Sequence, residues 1–212
     1  MKYEYLVFDL DGTISDPKDG IVRSINYALE AHGFELRTEN ELCTFIGPPL
    51  DLSFSSLTGS ADSELIKSLV KKYRERYSDI GFSENSLYKG IPEVLTRLNS
   101  IPGVKLGICT SKPAHIAERI LELFLLRGHF CFVNGGDVGI EKWQQLGSLL
   151  EQGEINQNSV MIGDRFVDIT AAQKNSLDSA GVLWGYGSRT ELSQHDPSYL
   201  FSSPGDLEEL VP

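Results

Sequence analysis

Apolar runs that alternate with amphipathic helical segments limit the possible folds of this chain more than any other feature of its sequence. Runs typical of buried strands occur at about 4–9, 104–109, 130–133, 159–162 and 180–184. Helical patterns follow the first four runs. Strands that alternate with helices predict a parallel sheet covered by helices. We therefore expect an α/β fold built on a doubly wound parallel sheet.

Residues 15–85 interrupt this alternation, because they hold helical patterns and no convincing strand. Asp16-Pro17 is typical of an N-cap followed by proline at the first helical position. Thr38 to Glu41 matches a capping box, and an amphipathic helix is predicted from about Asp62 to Tyr77. The sequence thus predicts two domains, an α/β core of residues 1–14 and 86–212 and an inserted helical domain of residues 15–85.

The charge balance argues against nucleic acid and anionic membranes as partners. Thirty acidic and nineteen basic residues give a net charge of −11, which repels polyanions. No apolar stretch approaches the roughly 20 residues needed to span a bilayer, and MKYEYLVFDLDG lacks the pattern of a signal peptide. Cys43, Cys109 and Cys131 form no CxxC pair and indicate reduced thiols in a cytoplasmic protein.

Polar side chains follow several predicted strands at the point where each strand ends. In open α/β sheets, ligands bind at the carboxyl ends of the strands. Taken singly, each of these residues fits a helix cap or a surface charge, but their coincidence at successive strand ends calls for a chemical reason. They are Asp9 and Asp11 after the first strand, Thr110, Ser111 and Lys112 after the second, Lys142 after the third, and Asp164 and Asp168 after the fourth.

These residue types suit the transfer of a phosphoryl group. Carboxylates are oxygen ligands for Mg²⁺, which binds through a few carboxylates and the phosphate of a substrate. A hydroxyl and an ammonium suit the remaining phosphate oxygens. A carboxylate such as Asp9 can attack phosphorus and form an aspartyl phosphate. Asp11, two residues away, can protonate the leaving oxygen and then activate water.

The motifs resemble those of the haloacid dehalogenase superfamily. The resemblance rests on FDLDGT at 8–13, Thr110, Lys142 and GDRFVD at 163–168, and it extends over essentially the whole chain. The helical insertion, IGPPL at 46–50 and GVLWGYGS at 181–188 are similar to the branch of phosphoglycolate phosphatases and 5′-nucleotidases.

This resemblance implies a role for each matching residue. Asp9 would be the nucleophile and Asp11 the acid and base, while residues 15–85 would form a helical cap that closes over a Rossmann-like core. The substrate would be bound by Thr110, Ser111, Lys142, Gly47 and Pro48. The cofactor Mg²⁺ would be held by Asp9, the backbone carbonyl of Asp11, Asp164 and Asp168.

The leading interpretation is a Mg²⁺-dependent phosphatase of a small soluble ester, phosphoglycolate-like or nucleotide-like, acting as a monomer or homodimer. A phosphomutase of the same superfamily and a non-enzymatic phosphoacceptor or binding protein remain alternatives. A carbon–halogen hydrolase is disfavoured, because it has no leaving oxygen for Asp11 to protonate. Lys112 competes with Lys142 for the phosphoryl group; we favour Lys142 and expect Lys112 at the outer rim.

Overall fold

The protein is described here by a computed structural model that covers residues 2–47, 49–136 and 139–212. Pro48, which the sequence places in a substrate-binding loop, lies outside the described residues. Over the part of the chain that is described, two compact units are found: Met1–Asp16 with Leu87–Pro212, and Pro17–Ser86. These boundaries lie one or two residues beyond those expected from the sequence.

Parallel strands form the centre of the first unit, here called the core unit. Within the described ranges, one six-stranded sheet has the order β5-β4-β1-β6-β7-β8, and each pairing between neighbours is parallel. The two short strands β2 and β3 form a separate sheet. The predicted doubly wound α/β fold is confirmed. The strands are β1 (Tyr5–Phe8), β2 (Ser15–Asp16), β3 (Ser86–Leu87), β4 (Lys105–Thr110), β5 (Phe130–Gly135), β6 (Ser159–Gly163), β7 (Asp178–Val182) and β8 (Tyr199–Phe201).

The helices lie mainly between successive strands. None of those described combines the length and apolar composition needed to cross a bilayer. Short 3₁₀ helices occur at Cys43–Phe45, Gly81–Ser83, Arg127–His129 and Pro204–Leu210. The α-helices are α1 (Lys18–Ala31), α2 (Glu39–Leu42), α3 (Leu50–Thr58), α4 (Ser63–Asp79), α5 (Ile91–Asn99), α6 (Ala114–Leu123), α7 (Lys142–Glu151), α8 (Phe166–Lys174) and α9 (Arg189–Ser193).

β1 is buried on both faces, which explains why its sequence is continuously apolar and does not alternate. Tyr5 and Val7 belong to a core cluster that includes Leu146 of α7 and Ala172 of α8. Since successive strand side chains point to opposite faces, the buried Leu6 and Phe8 occupy the other face. Because both faces of β1 are buried, a side chain that acts on a ligand can follow this strand only at its end.

The second unit, Pro17–Ser86, is a bundle of helices packed around α1 and α4. The buried face of α1 includes Ile25 and Leu29, and that of α4 includes Leu69 and Tyr73. The predicted capping box between Thr38 and Glu41 is confirmed. Apolar residues at helical spacing therefore produce the packed faces that the sequence predicted.

Some local predictions were wrong. Asp16 lies in β2 and does not cap α1, whose N-cap is Pro17 without a side-chain hydrogen bond. The last predicted strand lies two residues earlier, at Asp178–Val182. The sequence also missed β8, a three-residue strand at the sheet edge.

Candidate active site

Residues far apart in sequence meet at one edge of the sheet in the core unit. β5, β4, β1 and β6 are neighbours, so the residues at their carboxyl ends are brought together. Asp9 directly follows β1, Thr110 ends β4 and Asp164 directly follows β6. The backbone N–H of Asp9 donates to the carbonyl of Ile162 at 2.8 Å, which continues the pairing with β6 up to the carboxylate. Strand order therefore creates the site.

Three buried carboxylates form the negative part of this site. One oxygen from each of Asp9, Asp164 and Asp168 lies within 4.8 Å of the other two. Burial raises the pKa of Asp164 to about 8, and the charges of Asp168 and Asp9 act in the same direction. Burial also raises the pKa of Asp168 to about 6, against the charge of Lys142. Such repulsion is relieved by a proton or a cation.

The donor set fits a hard cation. Oδ1 of Asp9 is buried and has no hydrogen-bond partner in the described part of the chain. A buried carboxylate oxygen without a donor is costly, and a cation would satisfy it. The three side chains of the cluster offer only carboxylate oxygens, the ligands that Mg²⁺ prefers.

Asp164 is held by a close-packed loop that follows β7. Its Oδ2 accepts the backbone N–H of Tyr186 at 2.7 Å, and its Oδ1 accepts the hydroxyl of Thr13 at 3.4 Å. A Cβ on Gly12 would lie 2.2 Å from Oδ2 of Asp164, and one on Gly187 would lie 1.8 Å from its carbonyl oxygen. Gly12 also has a φ of +82°, so both space and backbone conformation require glycine there.

Asp168 is engaged on both oxygens. Oδ1 accepts the ammonium of Lys142 at 2.5 Å, and Oδ2 accepts the backbone N–H of Arg165 at 3.0 Å, where α8 begins. A Cβ on Gly163 would lie 2.1 Å from Cγ of Asp168. These contacts fit a residue that orients Lys142. Direct binding of metal by Asp168 stays a prediction.

Lys142 reaches the residue that the sequence predicts as the nucleophile. Its Nζ lies 3.0 Å from Oδ2 of Asp9, and its side chain is buried. Burial by itself lowers the pKa of Lys142, but the charges of Asp168 and Asp9 turn the net shift upward. The ammonium is therefore protonated at any ordinary pH. From the next turn of α7, Gln145 donates to the carbonyl of Thr110 at 3.1 Å.

Asp11 has a different partner. Nζ of Lys112 lies 2.9 Å from Oδ2 of Asp11, and the Lys112 side chain is only 8% exposed. The expected rim position of Lys112 is therefore wrong. Burial raises the pKa of Asp11, and Lys112 opposes the shift. Thr110 is buried whereas Ser111 is exposed.

Gly47 belongs to the helical unit and is exposed, with a φ of +107°. Its predicted contact with substrate, like that of Pro48, stays a prediction. Sequence reasoning gave no role to Tyr186 or to Lys112 as a partner of Asp11. For Tyr186 the available signal was the Gly-Tyr-Gly sequence that follows a strand.

A family model described as haloacid dehalogenase-like hydrolase matches residues 6–182. The chain belongs to this family. The match begins within β1 and runs through the helical unit and the core to the end of β7, so it includes each predicted catalytic and metal-binding position. The predicted family and the prediction of a hydrolase are thereby confirmed.

Relatives with names of their own match nearly the full chain. A 5′-nucleotidase from Pseudomonas aeruginosa is 34% identical over 215 residues, covering 100% of this chain and 96% of the relative. A phosphoglycolate phosphatase from Aquifex aeolicus is 29% identical over 218 residues, covering 97% and 95%. Both names agree with the branch that the motifs indicated.

Two further similarities bear on function. The tyrosine-protein kinase PtkA from Mycobacterium tuberculosis is 33% identical over 212 residues, covering 98% of this chain and 71% of the relative. The crystal structure of a Clostridium difficile protein named as a candidate phosphatase superposes with a TM-score of 0.90. It is 35% identical and covers 100% of both chains.

Proposed function

We propose that this protein is a Mg²⁺-dependent phosphatase that hydrolyses a small phosphate monoester through an aspartyl phosphate on Asp9. One observation carries the proposal. Asp9 lies buried beside Lys142, within 4.8 Å of two further carboxylates, and keeps one oxygen without a hydrogen-bond partner among the residues described. A carboxylate that attacks phosphorus and also binds a cation suits a position with a neighbouring ammonium and with one oxygen that accepts no hydrogen bond.

The reaction follows from the separate surroundings of Asp9 and Asp11. A carboxylate oxygen of Asp9 bonds to phosphorus as the bond from phosphorus to the leaving oxygen breaks, and Asp11 gives its proton to that oxygen. Asp11, now ionised, takes a proton from a water molecule that attacks the phosphorus of the aspartyl phosphate. Inorganic phosphate leaves, and both residues return to their starting forms.

The remaining residues supply charge and orientation. Lys142 places its ammonium beside Asp9 and offers positive charge near the phosphoryl oxygens, and Asp168 fixes the direction of Lys142. Thr110 and Ser111 bind the phosphoryl group. Asp9, Asp164 and the backbone carbonyl of Asp11 would hold Mg²⁺, which would supply positive charge to the phosphoryl oxygens.

The names of the relatives guide the choice of substrate. We infer a small soluble ester whose leaving group is a nucleoside or a hydroxy acid, because relatives at 34% and 29% identity are named 5′-nucleotidase and phosphoglycolate phosphatase. The helical unit would act as the cap that selects among such esters, in a cytoplasmic monomer or homodimer.

Transfer to a tyrosine hydroxyl is a second candidate, favoured by the 33% identity to PtkA over 98% of this chain. In that case the phosphoryl group of Asp9 would pass to the phenol oxygen, and Asp11 would take the phenol proton. A phosphomutase would use a substrate hydroxyl in the same way. The phosphatase and the mutase differ in the acceptor of the phosphoryl group, which is water or a substrate hydroxyl. The kinase would also need a different donor, a nucleoside triphosphate from which Asp9 takes the phosphoryl group as the nucleoside diphosphate leaves.

A substrate panel with three readouts separates them. Wild-type protein with Mg²⁺ is incubated with phosphoglycolate, nucleoside 5′-monophosphates, sugar phosphates and p-nitrophenyl phosphate, and free phosphate is measured. We expect release from at least one alkyl ester, and loss of release in EDTA that excess Mg²⁺ restores. Full activity in EDTA would overturn the metal assignment. Phosphotyrosine without free phosphate, in a parallel incubation with a nucleoside triphosphate and a tyrosine-containing peptide, would favour the kinase, and an isomeric ester would favour the mutase.

A further inference from the structure

The loop after β4 brings a second lysine, Lys112, to the site. Lys112 pairs with a different carboxylate from those that Lys142 contacts. Lys142 contacts Asp9 and Asp168, whereas Lys112 contacts Oδ2 of Asp11 at 2.9 Å. We propose that Lys112 is a positioning residue that holds Asp11 for proton transfer to the leaving group. Lys112 would thereby determine which leaving groups the enzyme can expel. The inference rests on the proposed phosphatase function.

The two oxygens of Asp11 are divided between two tasks. Oδ2 meets the ammonium of Lys112, whereas Oδ1 is buried and has no hydrogen-bond partner within the described chain. Because the contact with Lys112 fixes Oδ2, the carboxyl group of Asp11 is oriented, and the O–H bond of a proton on Oδ1 points in a defined direction. As that proton passes to the leaving oxygen, negative charge develops on Asp11, and the adjacent ammonium stabilises it.

Two hydrogen bonds hold the backbone of Lys112, so the point from which its side chain extends is fixed before substrate binds. The Lys112 N–H donates to Oγ1 of Thr110 at 3.3 Å, and the carbonyl of Lys112 accepts the N–H of Gly136 at 3.0 Å. A Cβ on Gly136 would lie 2.5 Å from the carbonyl oxygen of Ser111, and one on Gly135 would lie 2.0 Å from the nitrogen of Ala114. The end of β5 thus packs directly against the loop that carries Lys112.

Because the Lys112 side chain is closely packed, it loses little conformational entropy when it is oriented during the reaction. A free lysine side chain loses conformational entropy when it is fixed in one position. Here the side chain is 8% exposed, so most of that cost is met on folding. A surface ion pair would be solvated and mobile, and it would have little effect on a neighbouring acid.

The test compares two phosphate esters whose leaving groups differ in how much they need protonation by a general acid. p-Nitrophenyl phosphate releases a stable phenolate that needs little protonation. The comparison ester is the alkyl phosphate that the wild type turns over fastest in the panel above. The quantity compared is kcat/KM, which reports the steps through departure of the leaving group and not the later hydrolysis of the aspartyl phosphate, where Asp11 acts on both esters alike. For Lys112→Met we expect kcat/KM to fall at least about a hundredfold on the alkyl ester, the lower range for loss of acid catalysis. On p-nitrophenyl phosphate we expect a fall of less than about fivefold, well below that range.

Matched variants exclude other roles. Lys105→Met is the control, because Lys105 begins β4, the strand that leads to the Lys112 loop, and pairs with Glu4 in an exposed position at the far end of that strand. Lys112→Arg, which keeps the positive charge, should recover part of the activity on the alkyl ester. With Asp11→Asn present, Lys112→Met should cause less than about a threefold further loss, since residues that act as a unit are not additive.

A binding measurement that needs no turnover completes the test. Inorganic phosphate is titrated calorimetrically in the presence of Mg²⁺, and its Kd should change less than about threefold in Lys112→Met, under 1 kcal/mol. A tenfold weaker Kd would show that Lys112 binds the phosphoryl group itself and would overturn the inference. Equal losses on both esters would do the same. A wild type inert toward every ester would overturn the proposed function as well.

Discussion

Asp9 and Asp11 are two positions apart, and their different surroundings suit different tasks. Asp9 is 8% exposed and pairs with Lys142, which suits a nucleophile beside a phosphoryl group that is being transferred. The Asp11 side chain is 20% exposed and its pKa is raised by burial, which favours an acid. Pairs of titratable groups whose environments differ in this way are typical of acid and base assignments.

The first prediction concerns Asp9. Asp9→Asn keeps the size of the side chain but removes the nucleophilic charge, so turnover should fall by several orders of magnitude while the far-ultraviolet spectrum stays unchanged. Asp19→Asn serves as the control, because that carboxylate lies exposed on α1. If Asp9→Asn kept more than about a tenth of the wild-type rate, a barrier change under 1.4 kcal/mol, covalent catalysis by Asp9 would be refuted.

The second prediction concerns Lys142. Lys142→Ala leaves Asp9 and Asp168 without their shared ammonium, so both catalysis and stability should suffer. We expect kcat to fall at least about a hundredfold, the scale for one preorganised donor, and the free energy of unfolding to fall by about 3 kcal/mol. Kinetic assays and urea unfolding measure the two effects. Lys174→Ala, a half-exposed lysine on α8, should change neither, and equal behaviour of the two variants would contradict the assignment.

At the scale of elements, one loop without regular structure fixes a buried carboxylate. Residues 183–188 follow β7, and within this loop Gly187 lies too close to the backbone of Asp164 for any side chain. In Gly187→Ala the Cβ would meet a carbonyl oxygen at 1.8 Å, so the backbone of Asp164 must move. We therefore expect the Mg²⁺ concentration for half-maximal activity to rise at least about tenfold, or 1.4 kcal/mol.

Gly128→Ala is the matched control, because a Cβ there meets no atom within 4 Å. It should change stability by less than about 0.5 kcal/mol, as surface substitutions usually do. Should Gly187→Ala leave the Mg²⁺ requirement unchanged, the loop would have no part in placing Asp164.

The arrangement of strands and loops also explains how much of the site could be predicted from the sequence. Asp9, Thr110 and Asp164 were predictable, because each ends a strongly apolar run and parallel strands bring their ends together. The contact of Tyr186 with Asp164 was not, since it depends on the fold of a loop far along the chain. Nor was the position of the loop that carries Lys112, because it depends on the close approach of Gly135 and Gly136 to Ala114 and Ser111. β8 was missed because three residues are too few for a pattern.

At the scale of the whole molecule, the buried carboxylates affect stability as well as chemistry. The pKa of Asp164 is about 8 in the folded protein, against an ordinary value of 3.8. The folded state therefore binds more protons than the unfolded state between these two values. By linkage, the free energy of unfolding of the metal-free protein should fall as the pH rises through this window. Asp168 has a pKa of about 6 and contributes to the same fall in the free energy of unfolding in the lower part of this pH window.

The last prediction follows from the competition between protons and Mg²⁺ for these carboxylates. Mg²⁺ binds the ionised forms, so its affinity should rise as the pH approaches the pKa of about 8 of Asp164. A ligand that binds only the folded state stabilises it in proportion to the logarithm of its concentration over Kd. Thermal unfolding with and without a fixed Mg²⁺ concentration should hence show a Tm gain that is small near pH 6 and larger near pH 8. Asp164→Asn should abolish most of that gain, and a gain that is equal or smaller at the higher pH would contradict the cation site.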